Sequence, residues 1–263
     1  MKFERVSGNS ARTVADARGR AVLIDSNFLL PLFRRWERRC QLSDMDRAAF
    51  QALPFTRRSY NKDGYIVEEG QRASDCALLL SGFAYRQKLV HDGARQIISI
   101  HIPGEFVDLQ NCVLNVADHN VQSLNRCEVA QVPAAMLRML GDMHPAIGHA
   151  MWLDTLIDAS IFREWVVNVG RRDARTRIAH LLCELALRLH ASGEGAEDKV
   201  QFPLTQDQVA DATGLTPVHT NRTLQSLRKD GLISLSSGAL KVLDWERLRL
   251  AGDFSDRYLH HAI

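Results

Sequence analysis

From Phe55 to Val132, short apolar runs are broken at regular intervals by Lys62-Asp63-Gly64, Glu69-Gly70, Ser81-Gly82, His91-Asp92-Gly93 and Pro103-Gly104. Turn signals at that spacing predict a β-sandwich or barrel. Its strands are expected over Cys76–Leu80, Phe83–Leu89, Gln96–His101 and Glu128–Val132. On either side the pattern turns helical: Phe28 to Leu53, with a start at Leu42-Ser43-x-x-Asp46, and again from Ala134, becoming long after Pro145. In the long helix Ile147, Met151, Ile161 and Trp165 share one stripe, interrupted by Asp154 and Asp158, and Leu153, Leu156 and Ile157 broaden it. A helix apolar on more than one side needs two packing partners. The barrel and a second subunit are the expected pair, with burial inside one chain as the alternative. Ile147, Met151, Ile157, Ile161 and Trp165 are the candidate dimer contacts. A further helix, about Asp173 to His190, carries Ile178, Leu181, Leu182, Leu185 and Leu189 on a narrower face. Ser192–Asp198 reads as a loop or hairpin tip.

The segment Leu204–Ile233 predicts two short helices joined by a tight turn. Thr205 and Gln208 have the spacing of a capping box, and Leu204 and Val209 that of a hydrophobic staple. Gly214 permits the turn. Thr216-Pro217 opens the second helix with a cap residue and a proline at the first helical position, and Gly231 closes it. On that helix Thr220, Leu224 and Leu227 face one way. Val218, Arg222, Gln225 and Lys229 face the other, flanked by His219 and Asn221. Arginine can present two donors to guanine, and Asn or Gln can pair similarly with adenine. The N-terminal half of such a helix normally reaches the bases, which favours Val218, Asn221 and Arg222 over Lys229. A β-hairpin follows, with Leu232–Leu235 and Ala239–Leu243 joined through Ser236-Ser237-Gly238. Together these elements read as a winged helix-turn-helix directed at double-stranded DNA; the bland alternative is a helical hairpin with a solvated polar face.

Composition adds little to this and removes much. The 263 residues are 46% hydrophobic, enough for one large or two modest domains, and a net charge of +2 does not by itself point to nucleic acid. Arg171-Arg172 with Arg175 and Arg177 forms a basic cluster suited to phosphate contact or solvation. Arg34-Arg35 and Arg38-Arg39 around Trp36 read as solvated. Five scattered cysteines (40, 76, 112, 127 and 183) have no paired spacing, which argues against a disulfide framework and for reduced thiols in a cytoplasmic protein. No apolar run reaches the ~20 residues needed to span a bilayer, and the first 25 residues lack a signal core. No phosphate loop, nucleophile elbow or His-Glu-x-x-His is present, so no enzyme is expected.

The order of these elements, with their motifs, resembles the Crp/Fnr family of bacterial transcription regulators. Lys62–Gly70 is similar to the family's first β-roll hairpin. Leu78-Leu79-Leu80-Ser81-Gly82 with Pro103-Gly104-Glu105-Phe106 is similar to the next strands and the pocket entrance. The helix-turn-helix with Asp173–Ala179 before it matches most closely. The resemblance implies an α+β protein: a polar tail (1–25), a β-roll sensor domain (26–140), a dimerisation helix (141–170), a winged helix-turn-helix (171–255) and a short tail (256–263). It implies a homodimer on a near-palindromic operator, with RNA polymerase as a further partner. Val218, Asn221 and Arg222 fall where the family reads bases, and Gln225 shares their face. Thr205, Gln206, Thr216 and His219 fall where the family meets the DNA backbone. Val218 stands where many members place a glutamate; it can touch a thymine methyl but cannot accept from cytosine.

The pocket departs further. Where members that bind cyclic AMP carry a Gly-Glu pair, this chain has Asp108-Leu109. Where they carry an arginine for the cyclic phosphate, it has Ala117-Asp118-His119. Cyclic AMP is therefore not expected. The absence of any cysteine before Cys40 argues against the iron–sulfur cluster of the oxygen-sensing branch. Haem would need a ligand such as His91, His101 or His119, each of which reads as a turn or strand-surface residue. The effector is left open. A ligand-sensing module whose C-terminal domain contacts protein instead of DNA is the competing expectation.

Overall fold

The computed structural model describes residues 11–15, 21–25, 29–193, 195–196, 199–236 and 238–260. Strands β1 (Ala11–Ala15) and β2 (Ala21–Asp25) pair antiparallel, so the segment expected as a plain tail contains a hairpin; its other residues lie outside the described ones. Helix α1 (Leu30–Glu37) turns Leu32, Phe33 and Trp36 inward. Helix α2 (Asp44–Gln51) starts where its sequence indicates: Ser43 accepts from the Asp46 amide, and the Asp46 carboxylate accepts from the Ser43 amide.

Seven antiparallel strands follow: β3 (Thr56–Tyr60), β4 (Tyr65–Val67), β5 (Asp75–Ser81), β6 (Ala84–Leu89), β7 (Arg95–His101), β8 (Asn120–Ser123) and β9 (Cys127–Pro133). They form two sheets, ordered β3-β9-β5 and β4-β8-β6-β7, with a shared core that includes Ala77, Leu79, Ala84, Val121 and Val129. The four expected strands are present. β3, β4 and β8 are short or polar and carry no apolar alternation that marks a strand. Gly82 makes the β5–β6 turn at φ 80°, where a Cβ would lie 2.4 Å from the Arg126 carbonyl oxygen.

Helices α3 (Ala134–Met143) and α4 (Pro145–Arg171) meet at His144. A Cβ on Gly148 would stand 2.7 Å from the Gly141 carbonyl oxygen, so the two helices touch backbone to backbone. The long helix uses its expected dimer residues inside its own chain. Ile147, Ile157, Ile161 and Trp165 are buried and Met151 is half-buried, because this face packs on α1, the roll and the next helix. Its outward face is a different stripe, with Trp152, Leu156, Val166 and Val167 exposed.

Helix α5 (Ala174–Ser192) begins at Asp173, which accepts from the Thr176 amide. Its buried surface is wider than the five expected leucine and isoleucine positions, and includes His180, Glu184 and Arg188. A small antiparallel sheet, β10 (Gly195–Ala196), β11 (Lys199–Gln201), β12 (Ile233–Ser236) and β13 (Ala239–Val242), flanks helices α6 (Gln206–Thr213) and α7 (Pro217–Lys229). Helix α8 (Trp245–Ala251) packs on α5. The expected C-terminal tail instead forms a 3-10 turn, Asp256–Leu259, that returns to α4.

Candidate nucleic-acid interface

Helix α6 is set by its cap. Thr205 Oγ1 accepts from the Gln208 amide at 3.2 Å, and Gln208 Oε1 accepts from the Thr205 amide at 2.9 Å. Leu204 and Val209 are buried in one core, as a staple requires. Gly214 ends the helix at φ 64°. Thr216 then caps α7, accepting from the His219 amide at 3.3 Å, with Pro217 at the first turn. At the far end the Leu232 amide donates to the Leu227 carbonyl and the Gly231 amide to Arg228, the paired bonds of a Schellman termination.

These local rules fix which way α7 faces. Thr220, Thr223, Leu224 and Leu227 are buried. Val218, 71% exposed, shares the open surface with His219, Asn221, Arg222 and Gln225. The side chains of these five make no hydrogen bond or ion pair with any described residue. Thr205, Gln206 and Thr216 are exposed beside them, and each threonine hydroxyl keeps its own hydrogen to donate while its oxygen caps a helix. The surface therefore presents an apolar side chain, a two-pronged donor and two amides on one helix face, flanked by hydroxyls. That is the chemistry for base edges in a groove lined with phosphates.

The basic clusters have other duties. Arg172 pairs with Glu164 at 2.6 Å, Arg175 with Asp230 at 2.7 Å, and Arg177 donates to the Thr213 carbonyl at the end of α6. They brace the helix-turn-helix. Arg35 and Arg39, expected as solvated, both pair with Asp154 of α4 at 3.0 Å, while the Trp36 indole donates to the same carboxylate at 2.8 Å. Arg188 completes the network, reaching Glu105 at 3.0 Å, Glu184 at 2.9 Å and the Ile100 carbonyl at 2.7 Å. Burial alone would push the Glu105 carboxyl up; Arg188 and Arg35 beside it overcome that and hold it well below the usual carboxylate range. These pairs join residues far apart in sequence, and no local signal announced them. A second bridge ties β7 to α6: Arg95 pairs with Asp211 at 2.6 Å and also donates to the Tyr85 hydroxyl.

The roll's interior is also occupied. Arg86 pairs with Asp158 of α4 at 2.7 Å and donates to the Val107 carbonyl at 2.8 Å. Gln122 accepts from both Tyr85 and Gln87 at 2.7 Å. His101 and His119 are buried, not on a strand surface as expected, and burial pushes both imidazoles below their ordinary value. Among the described residues no helix is long and apolar enough to cross a membrane.

A roll of this topology, a long helix and a winged helix-turn-helix with an open polar recognition face define a DNA-binding transcription regulator. Residues 57–144 match the cyclic nucleotide-binding domain and residues 176–251 the Crp-like helix-turn-helix domain. The chain is 29% identical over 205 residues to the transcriptional activator protein FnrL of Cereibacter sphaeroides, covering 76% of this chain and 82% of that one. It is 29% identical over 171 residues to the nitrogen fixation regulation protein FixK of Bradyrhizobium diazoefficiens, covering 65% and 70%. The fold is similar to the structure of FixK2 from Bradyrhizobium japonicum, with a TM-score of 0.71 at 22% identity over 77% of this chain and all of that one. The chain belongs to the Crp/Fnr family of transcription regulators.

Proposed function

We propose that the protein binds a near-palindromic operator as a homodimer, with α7 in the major groove of each half-site, and without a cyclic nucleotide. The observation that carries the DNA reading is the unpartnered face of α7. Val218, Asn221 and Arg222, with Gln225, meet base edges; Thr205, Gln206, Thr216 and His219 meet the backbone. Arg222→Ala is expected to weaken specific binding by about 1–3 kcal/mol and to relax preference at one G·C pair per half-site. Selection of sites from random duplexes with both proteins tests this, and unchanged discrimination at every position refutes the assignment.

The dimer rests on the outward stripe of α4. Trp152, Leu156, Ala159, Arg163 and Val166 recur at alternating spacings of four and three and are exposed in the single chain. That is the seam a second copy of the same helix can cover. Half-site centres then lie about one helical turn apart, roughly 34–36 Å. Val166→Glu is expected to give a folded monomer by sedimentation that binds operator far more weakly; an unchanged dimer refutes this seam. On this reading the chain divides into the roll, the α4 seam and the DNA-reading unit.

Exclusion of cyclic nucleotides is supported by what fills the roll. Arg86 is committed to Asp158 and Val107, Arg95 to Asp211, and Arg126 is exposed beside Glu128. A phosphate entering near Asp118 would meet that carboxylate as it loses hydration, and among the described residues the nearby cations without a partner are the exposed Arg58 and Arg72, which line the open cleft beside Ala117.

A further inference from the structure

We propose that Cys76 and Cys112 are a modification site: a buried dithiol that hydroperoxides close reversibly to an intrachain disulfide. Cys76 lies on β5 and Cys112 ends the 3-10 turn Leu109–Cys112, 36 residues later. Their sulfurs are 3.4 Å apart, and both side chains are buried. No other thiol pair among the described residues is placed this way. Cys127 donates to the Phe83 carbonyl and Cys40 to the Trp36 carbonyl, and Cys183 is buried alone in the core around α5.

The surroundings make the two sulfurs unequal. The hydrogen bond from Cys76 holds the Cys112 thiol below its ordinary value, and the Arg138 guanidinium, bound to the Cys112 carbonyl at 3.1 Å, helps. Cys76 is pushed up by that shared proton, by burial and by the nearby Asp108 carboxylate. Burial alone pushes Cys127 up to about 11 and Cys183 up to about 12. Cys112 is thus the more readily ionised of the two, and the thiolate is the form that reacts. An open cleft is lined by Asp75 and Asn111, the chain neighbours of the two cysteines, with Ser74 and Asp108; the buried thiols themselves do not line it, so peroxide reaches them through local opening of the turn.

The steps balance. The Cys112 thiolate attacks one peroxide oxygen, the O–O bond breaks, and hydroxide leaves as water after taking up a proton, giving a sulfenic acid. Cys76 then attacks that sulfur, the S–O bond breaks, and a second water carries off the oxygen. Two thiols lose two electrons, and one peroxide is reduced to two waters. Closure must draw the sulfurs to ~2.05 Å. β5 is held by its ladder to β9, whereas the 3-10 turn is four residues long and runs into the exposed Val113-Leu114. The turn is therefore what moves. Leu109 on that turn shares a core with Ile147 and Ala150 of α4, so closure disturbs the packing of the roll on the long helix.

The test treats the reduced full-length protein with hydrogen peroxide, alkylates the remaining thiols and maps the peptides. Two of the five thiols should be lost per chain, with the Cys76 and Cys112 peptides joined and dithiothreitol restoring both. Operator affinity should change by about threefold or more on closure and recover on reduction. Cys112→Ser should abolish both effects; Cys127→Ser should leave both intact. Five alkylatable thiols after treatment, over-oxidation of Cys112 without a cross-link, or a cross-link between chains would each overturn the site. Closure with unchanged operator affinity would overturn its coupling to DNA binding. Failure of the reduced protein to bind any operator would instead sink the DNA reading, while the thiol count would still judge the dithiol.

Discussion

Arg188 offers the sharpest measure of how the two halves of the chain hold together. It projects from α5 into the roll, and its guanidinium donates to Glu105, Glu184 and the Ile100 carbonyl. Its side chain is 5% exposed, as buried as the carboxylates it serves. Removing one partner of a buried ion pair typically costs about 3–5 kcal/mol, since a buried charge is left uncompensated. Here neither carboxylate is wholly abandoned. Glu105 keeps Arg35 at 2.6 Å, and Glu184 keeps the Trp165 indole and the Tyr258 hydroxyl, both at 2.9 Å. The low end of the range therefore applies, about 3 kcal/mol, with about 1 kcal/mol more for the unpaired Ile100 carbonyl. Arg188→Met keeps most of the aliphatic stem and so isolates the lost charge and donors. At ~2–4 °C per kcal/mol for a chain of this size, its Tm should fall by roughly 6–16 °C. Urea unfolding should show the same loss, and adding Glu105→Gln should recover part of it by removing a charge left with too little compensation. A loss below ~1 kcal/mol, or strict additivity of the two substitutions, would show that the network is ornamental and that the apolar junction holds the halves together unaided.

Beyond the Arg222 and Val166 substitutions, two outcomes follow from the roll. Gly82→Ala should cost about 2–4 kcal/mol, from left-handed backbone strain plus the clash with the Arg126 carbonyl. Gly93→Ala, at φ 85° with open space around it, should cost only the strain, about 1 kcal/mol, and equal losses in chemical denaturation would refute the clash. The pH dependence should contain opposing parts. Glu105, held below its ordinary 4.5, gives stability that is complete above that value and is lost as pH falls through the depressed one. Asp108, pushed up by burial from 3.8 to about 7, gives stability that is complete below 3.8 and is lost as pH rises through about 7. Urea midpoints of Asp108→Asn should therefore improve relative to wild type from pH 4 to pH 8; a difference that stays constant would contradict this.

What could be read in the sequence was what neighbouring residues decide among themselves. The helix start at Ser43, the capping box at Thr205, the Thr216-Pro217 start, the Gly214 turn and the hairpin after Gly231 are all settled within a few residues, and the structure has each of them. The exposed face of α7 followed from helical periodicity. β3, with the sequence TRRSY, carries no alternating apolar signal and exists because β9 pairs with it. Arg35 meets Asp154 across 119 positions and Cys76 meets Cys112 across 36, so only the folded chain could reveal those contacts. The α4 stripe left two coverings open, a partner subunit or the same chain, for a related reason. Periodicity marks Ile147, Ile157, Ile161 and Trp165 as apolar without saying what covers them, and in the fold the roll and α5 do.

The return of residues 256–260 to the long helix has a mechanical consequence. Arg39 donates to the Leu259 and His260 carbonyls, and Tyr258 reaches Glu184 on α5. The end of the unit that carries α7 is thus tied to Arg39, beside the Arg188–Glu105 and Arg95–Asp211 bridges that tie α5 and α6 to the roll. A body held at two points can still rotate about the line between them, whereas one held at three points out of line cannot turn as a rigid whole. Rigid reorientation of α7 therefore requires some of these ties to break, and the carboxylates and guanidinium groups they hold would have to find water or new partners as it turns.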